Sequence, residues 1–219
     1  GRGMMTEDKL KAIKFPIVEI FNSVQGEGFY TGRTAVFIRT SGCNLKCPWC
    51  DTDHSKKAGD LTIMEIIDRV ESLTKHPSLI VVTGGEPTIH KELHYLLWSL
   101  KLRFREDNVD IAIETNGTNP LMLYRLKEMG VVDLITVSPK DNMFDDAIND
   151  SLLVADEVKV VLSDVATPEI YEPALARQFK HHTAFIQPCS ENYPPVIEFL
   201  AKHPRWRMSV QIQKVIGVL

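Results

Sequence analysis

The chain has 219 residues, of which 44% are hydrophobic and 25% are charged. These values are ordinary for a globular protein and exclude a disordered or collagen-like chain. Lys and Arg total 25 against 29 Asp and Glu, a formal net charge of −4, which argues against a dedicated nucleic-acid or membrane surface. No apolar run approaches the roughly 18 residues of a membrane helix. We expect no signal peptide, because no charged-then-apolar stretch precedes the first strand. We expect a cytoplasmic single domain over residues 4–219, with residues 1–3 a cloning remnant.

Short β-rich runs alternate with helical patterns along the chain. Predicted strands cover residues 17–21, 34–40, 79–83, 110–114, 132–137, 157–162, 183–187 and 207–212. Predicted helices cover residues 62–75, 93–100, 120–129, 168–179 and 194–201, and residues 51–60 and 140–150 are predicted loops. Thr62 and Glu65 have the spacing of a capping box. Because nearly continuous β-branched runs are typical of parallel strands buried on both faces, the alternation predicts an α/β fold with a parallel sheet.

Three of the four cysteines, Cys43, Cys47 and Cys50, fall within eight residues. A secreted disulfide scaffold would distribute its cysteines, so this cluster indicates metal or redox chemistry in a reducing compartment. Thiolates select zinc, copper(I) or iron–sulfur clusters. His54 or Cys189 could complete a four-ligand zinc site. Three thiolates could equally hold a [4Fe–4S] cluster whose fourth iron is open.

Polar residues and glycines follow five of the predicted strands. In parallel α/β folds the carboxyl ends of the strands meet at one edge, where ligands bind. The five segments begin at Cys43 and cover residues 83–87, 114–117, 138–140 and 187–188. Their coincidence with a thiolate cluster predicts a binding site at this edge.

The cysteine spacing, ending in Trp49-Cys50-Asp51, resembles the cluster loop of radical S-adenosylmethionine (SAM) enzymes. Thr83–Pro87 resembles the methionine-binding turn of that family. Residues 22–32, with the sequence NSVQGEGFYTG, are similar to the enzymes of this family that make 7-carboxy-7-deazaguanine. The resemblance covers Phe15 to Gln213, and it implies an incomplete TIM-like barrel of parallel strands with outer helices and an extra N-terminal strand.

The resemblance also implies which residues bind the cofactors. Cys43, Cys47 and Cys50 would ligate a [4Fe–4S] cluster, and Thr52 would contact Mg²⁺, which prefers hard oxygen ligands. The implied SAM contacts are Trp49, Cys50, Asp51, Gly84, Gly85, Glu114, Ser138, Pro139, Lys140 and Gln187.

The implied substrate is 6-carboxy-5,6,7,8-tetrahydropterin. Glu27 is suited to accept two N–H groups from its guanine-like edge, and Arg39 is suited to bind its carboxylate through two N–H groups. Further implied substrate contacts are Val24, Gln25, Gly26, Thr83 and the C-terminal Leu219. Related enzymes often carry a His where this chain has Gln213.

The implied reaction is a radical ring contraction that releases ammonia and re-forms SAM, as a step towards the 7-deazaguanine bases of tRNA such as queuosine. It implies a flavodoxin- or ferredoxin-like electron donor and a homodimer. Two alternatives remain open from the residues. One is a glycyl-radical activating enzyme that acts on a partner protein. The other is a non-enzymatic module that binds zinc through the three cysteines and His54.

Overall fold

The computed structural model describes residues 6–45, 59–140 and 142–219. These residues form a nine-stranded sheet in the order β3-β1-β2-β4-β5-β6-β7-β8-β9. The strands are β1 (Lys14–Val24), β2 (Thr34–Thr40), β3 (Gly59–Thr62), β4 (Leu79–Gly84), β5 (Asp110–Thr115), β6 (Leu134–Val137), β7 (Glu157–Leu162), β8 (Ala184–Pro188) and β9 (Arg207–Met208).

The helices lie mainly in the connections between the parallel strands. They are α1 (Glu7–Ala12), α2 (Ile63–Leu73), α3 (Leu93–Arg103), α4 (Pro120–Glu128), α5 (Asp146–Val154), α6 (Ala176–His181), α7 (Tyr193–Lys202) and α8 (Ile212–Val215). Short 3₁₀ helices cover Pro87–Ile89, Arg105–Asp107, Pro168–Ala174 and Cys189–Glu191. No helix of the described residues is long and apolar enough to cross a membrane.

The sheet is parallel from β2 through β4 to β9, and β1 runs antiparallel to β2 and β3. The edge strands β3 and β9 stand at opposite ends of the strand order, so the described sheet is open. The predicted incomplete barrel with an extra N-terminal strand is therefore confirmed. Residues predicted as strand in 34–40 and 157–162 match the bounds of β2 and β7.

Side chains alternate along the strands between a core under the helices and the opposite face of the sheet. On β7, Val158 and Val160 belong to the main apolar core, whereas Glu157 and Lys159 line a cavity. A smaller apolar cluster fills part of the cavity face of the sheet: Ala35, Phe37, Leu79, Val81 and Ala112. The polar cavity is therefore placed towards the carboxyl ends of the strands.

Several predicted elements differ from the structure. The predicted loop over 140–150 is wrong in its second half because Asp145 caps α5, whose Ile148 and Leu152 are buried in the core. The predicted loop over 51–60 is wrong at its end, where β3 starts at residue 59. The helix expected over 168–179 is divided between a 3₁₀ helix and α6, since Pro173 lacks a backbone N–H.

The C-terminal strand is shorter than predicted. Of the strand expected over 207–212, only Arg207–Met208 pairs with β8, and Ile212 already begins α8. Neither α1 nor α8 was predicted, because six and four residues are too few for a clear apolar period.

The capping box at the start of α2 forms as predicted. The Thr62 hydroxyl accepts from the backbone N–H of Glu65 at 3.1 Å, and the Glu65 carboxylate accepts from the backbone N–H of Thr62 at 3.1 Å. This reciprocal pair satisfies two N–H groups that the helix itself leaves without partners.

We expect Thr62→Ala to lower the free energy of unfolding by about 1 kcal/mol, since it removes one of these acceptors. Denaturant unfolding followed by circular dichroism measures the loss. Thr74→Ala at the other end of α2 is the control, because the Thr74 backbone N–H keeps its bond to the Val70 carbonyl. An equal loss in both variants would contradict the capping role.

Candidate active site

A cavity of about 540 Å³ opens at the carboxyl ends of the parallel strands. All five polar strand-end segments singled out in the sequence contribute to it. Its lining includes Cys43, Gly84, Gly85, Glu86, Glu114, Ser138, Lys140, Gln187 and Pro188. The crossover topology thus brings together residues that are far apart in the chain.

The turn after β4 packs directly against the end of β2. Gly84 has φ +133°, and a Cβ there would lie 2.2 Å from the carbonyl oxygen of Thr40. Only glycine fits this close approach. The backbone N–H of Gly85 donates to the Thr40 carbonyl at 3.0 Å, and that of Glu86 donates to the Gly42 carbonyl at 2.8 Å. The turn therefore presents bare backbone to the cavity.

The Glu86 carboxylate is fully buried and joins two strand ends. It accepts from the backbone N–H of Asn116 at 2.7 Å, from that of Thr88 at 3.1 Å, and from the Thr115 and Thr88 hydroxyls. Burial raises the pKa of Glu86, and these four donors oppose the rise. The network fixes the turn after β4 relative to the loop after β5.

The loop that starts the cysteine cluster is bonded to the same β5 loop. Asn44 accepts from the Asn116 amide at 2.9 Å and donates to the Thr118 hydroxyl at 2.8 Å. The Cys43 thiol accepts from the Leu45 backbone N–H at 3.5 Å and lines the cavity. These bonds place the first thiol of the cluster beside the glycine turn.

Six residues of the predicted site lie outside the described residues: Cys47, Trp49, Cys50, Asp51, Thr52 and His54. The proposed cluster, Mg²⁺ and zinc ligand sets therefore remain predictions from the sequence. Cys189, the fourth cysteine, also lines the cavity, and its sulfur lies 3.9 Å from the Ser190 hydroxyl.

The segment after β6 supplies further polar groups to the cavity. The Lys140 ammonium donates to the Ser138 hydroxyl at 2.9 Å, and Pro139 between them is buried. On β8 the Gln187 side-chain oxygen accepts from the Ser209 hydroxyl at 2.8 Å. Hydroxyl, ammonium and amide groups thus stand at the predicted SAM positions.

Glu27 forms a largely buried ion pair with a lysine of β7. Its Oε1 lies 3.0 Å from the Lys159 ammonium, and its Oε2 accepts from the Gln213 amide at 3.2 Å. Burial acts to raise the pKa of Glu27, but Lys159, Gln213 and Lys214 together outweigh it and hold that pKa below its ordinary value. Burial likewise acts against the charged Lys159, but Glu27 and then Glu114 raise the pKa of Lys159. Both groups are charged at neutral pH.

The segment that carries Glu27 is also anchored by Glu157. One oxygen of this carboxylate accepts from the Phe29 backbone N–H at 2.9 Å, and the other accepts from the Thr136 hydroxyl at 2.7 Å. Burial raises the pKa of Glu157, and these two bonds oppose the rise. Gly28 has φ +71°, and a Cβ there would lie 2.2 Å from Glu157 Oε1. The glycine is needed for this contact.

Arg39 and Thr83 are partners in the register of β2 and β4, and both line the cavity. The Arg39 Nε donates to the Glu19 carboxylate at 3.0 Å, and the guanidinium carbon lies 5.8 Å from the centre of the Phe21 ring. The cation is therefore oriented by β1, the strand that leads into the segment carrying Glu27.

The C-terminal segment, residues 212–219, contributes to the lining of the same cavity. The Ser23 hydroxyl donates to the Leu219 carbonyl, and the Ile212 N–H donates to the Gly26 carbonyl at 3.2 Å. A Cβ at Gly26 would overlap the Gln213 side chain. The predicted substrate positions Val24, Gln25, Glu27, Arg39, Thr83 and Leu219 all line one cavity, and Gly26 adjoins them.

Sequence reasoning did not identify Lys159, Glu157 or the Gln213–Glu27 bond. The signal was present for the first two, because charged residues two apart in an otherwise β-branched strand point to the same face of a sheet. That face is the cavity face. No local pattern could indicate that Gln213 meets a residue 186 positions earlier.

The comparisons with known proteins agree with this geometry. Residues 37–145 match the family model of the radical SAM superfamily. A 7-carboxy-7-deazaguanine synthase of Bacteroides thetaiotaomicron is 39% identical over 92% of this chain and 97% of its own. One of Haemophilus influenzae is 34% identical over 93% and 94%. The crystal structure of QueE from Escherichia coli superposes with a TM-score of 0.70 at 27% identity, covering 95% of this chain and 99% of that one.

The fold and the cavity define a radical SAM enzyme. A thiol, a glycine turn with open backbone, and hydroxyl, ammonium and amide groups around one cavity fit a [4Fe–4S] cluster with bound SAM. Within the superfamily, the chain belongs to the 7-carboxy-7-deazaguanine synthase family. The expected family and the expectation of an enzyme are both confirmed.

We expect Glu86→Gln to lower the free energy of unfolding by about 1–3 kcal/mol, because an amide NH₂ would face a backbone N–H in either orientation. Denaturant unfolding of the variant measures this. Glu92→Gln is the matched control, since Glu92 is exposed and makes no capping bond. If the two variants unfold alike, the Glu86 network does not hold the two loops together.

Proposed function

We propose that this enzyme converts 6-carboxy-5,6,7,8-tetrahydropterin to 7-carboxy-7-deazaguanine with loss of ammonia, in 7-deazapurine biosynthesis. The observation that carries the proposal is one cavity lined by two unlike sets of groups. Cys43 and the glycine turn form one set. An ionised Glu27 and the Arg39 cation form the other, and they suit a heterocycle that bears N–H groups and a carboxylate.

The cofactors would be held at the strand ends. Cys43, with Cys47 and Cys50, would ligate the cluster, and Gly84, Gly85, Ser138, Pro139 and Lys140 would bind SAM. Trp49, Asp51, Glu114 and Gln187 complete the proposed SAM contacts. When bound, the cluster and SAM supply radical hydrogen abstraction, and the protein contributes binding, orientation and exclusion of water.

The substrate would lie between Glu27 and Arg39. Glu27 accepts two N–H groups of the pyrimidinone edge, and Arg39 binds the carboxylate. Main-chain groups of Val24, Gln25 and Gly26, together with Thr83 and Leu219, complete the proposed contacts. The C-terminal segment would then limit the access of water to the reacting ring, because it is bonded to Ser23 and Gly26 on either side of Val24 and Gln25.

The proposal also includes Mg²⁺, bound by Thr52 and a substrate oxygen, because magnesium prefers hard oxygen ligands and substrate anions. A flavodoxin- or ferredoxin-like protein would reduce the cluster. We further propose a cytoplasmic homodimer that serves queuosine-type tRNA modification without itself contacting nucleic acid, in keeping with the net charge of −4.

Anaerobic turnover tests the proposal. The chain is reconstituted with iron and sulfide and mixed with reductant, SAM, Mg²⁺ and 6-carboxytetrahydropterin, and the products are followed by mass spectrometry. We expect 7-carboxy-7-deazaguanine without net consumption of SAM. Cleavage of SAM to 5′-deoxyadenosine without this product would contradict the substrate and favour an activating enzyme. Bound zinc without a cluster would contradict the radical chemistry.

The cluster ligand is tested with two cysteine variants. We expect Cys43→Ala to lose bound iron and SAM cleavage, because two thiolates do not hold a cubane cluster that needs three. Cys189→Ala is the control, since its thiol also lines the cavity and should leave the iron content unchanged. Iron analysis and visible absorbance are the measurements. If only Cys189→Ala loses iron, Cys189 is the ligand and the role proposed for Cys43 is contradicted.

The carboxylate contact is tested with two arginine variants. We expect Arg39→Met to raise KM for the pterin about tenfold to a hundredfold, with a smaller change in kcat. This factor corresponds to the free energy that a hydrogen bond to a charged group contributes. Arg33→Met is the control, because Arg33 pairs with Asp110 at 2.8 Å, away from the cavity. Steady-state turnover separates them. A similar KM in both variants would exclude Arg39 as the carboxylate ligand.

A further inference from the structure

Lys159 is a buried cation of the cavity to which the proposed contacts give no role. It lies in the middle of β7, its side chain is 14% exposed, and it carries a charge that is costly to bury. Among the described residues, its hydrogen-bond acceptor is Glu27, which takes one of three ammonium N–H groups. The other two N–H groups are available to a ligand in the cavity that Lys159 lines.

Lys159, Glu27 and Gln213 together form a row of hydrogen-bonding groups. The ammonium lies 3.0 Å from Glu27 Oε1, and the Gln213 amide lies 3.2 Å from Oε2. In order, the row therefore consists of the Lys159 donor, the two acceptor oxygens of Glu27 and the Gln213 donor. Each carboxylate oxygen has two lone pairs and can accept a further N–H while keeping its present partner.

The pyrimidinone edge of a pterin presents the complementary pattern. Its C4 carbonyl oxygen is an acceptor, and the adjacent N3–H and 2-amino group are donors. If Glu27 accepts the two donors, the C4 oxygen is directed to one end of the row. An ammonium is the stronger partner for a carbonyl oxygen than a neutral amide, because charge-assisted hydrogen bonds are about twice as strong.

We propose that Lys159 determines specificity for the 4-oxo form of the substrate by donating a hydrogen bond to the C4 oxygen. The inference rests on the proposed function, in which Glu27 binds the pterin edge. Lys159 would then act on the substrate directly as well as keeping Glu27 ionised.

The strand fixes the position of this ammonium. Glu157, two residues earlier on the same face of β7, bonds the Phe29 N–H and packs on Gly28. One strand therefore holds both the backbone beside Glu27 and its carboxylate. Such preorganisation is what discrimination between similar heterocycles requires, since a mobile lysine could follow either ligand.

The experiment compares two inhibitors of the reconstituted holoenzyme that differ at one atom, pterin-6-carboxylate and its 4-thioxo analogue. The analogue keeps N3–H and the 2-amino group for Glu27, but its sulfur is a weak acceptor. Inhibition constants are measured against 6-carboxytetrahydropterin turnover. We expect the wild type to prefer the oxo compound at least tenfold and Lys159→Met to lose this preference.

Lys101→Met is the matched control, because Lys101 also pairs with a carboxylate, Asp133, away from the cavity. It should keep the wild-type preference. If Lys159→Met weakens both inhibitors equally, Lys159 only maintains the charge of Glu27, and the proposal is overturned. A wild type without preference overturns it as well.

Lys159→Gln covers the case in which Lys159→Met does not fold, because it keeps a neutral donor. The ratio of its inhibition constants for the thioxo and oxo compounds should lie between the wild-type ratio and a ratio of one. A ratio equal to that of the wild type would contradict the proposal. The proposed function fails differently, by absence of 7-carboxy-7-deazaguanine in the wild-type reaction.

Discussion

A strand of a parallel sheet must present apolar side chains to the helices on one face, and this constraint determines where the polar groups can stand. On β7, Val158 and Val160 meet that demand, which leaves Glu157 and Lys159 on the opposite face. The same alternation places Arg39 on β2 and Gln187 on β8 in the cavity. Because an apolar cluster fills part of this face, the polar groups gather at the carboxyl ends of the strands. The cavity is a consequence of how the core is built.

Two buried carboxyl groups of the cavity are tolerated because both have partners from distant parts of the chain. Glu27 pairs with Lys159 and Gln213, and Glu157 accepts from Thr136 and the Phe29 backbone. Removing one member of such a pair leaves an uncompensated charge, which costs far more than the pair itself contributes. The early segment, β7 and the C-terminal segment are thereby fixed relative to one another, and together they form the side of the cavity proposed for the pterin.

The loops proposed to bind the cofactors are held in a different way, by a buried carboxylate that accepts backbone N–H groups. Glu86 accepts from Thr88 and Asn116, while Asn116 also bonds Asn44 next to Cys43. Three loops that follow β2, β4 and β5 are linked through this one network. A radical reaction demands such order, because a misplaced group or an admitted water changes the outcome. Each set of proposed contacts therefore has its own network of bonds, and the Gln25 amide, which donates to Glu114 Oε1 at 3.4 Å, links the two.

The sequence by itself determined the class of fold, the family and many of the residues that line the cavity, because strand periodicity, cysteine spacing and glycine turns are local signals. It also determined the bounds of β2 and β7. It did not determine α5 or the short C-terminal strand, because capping and packing, and not the spacing of apolar residues, decide where these elements begin and end. Only the tertiary structure decided that Lys159 and Gln213 meet Glu27, since contacts between residues 132 and 186 positions apart depend on how the strands are ordered in the sheet.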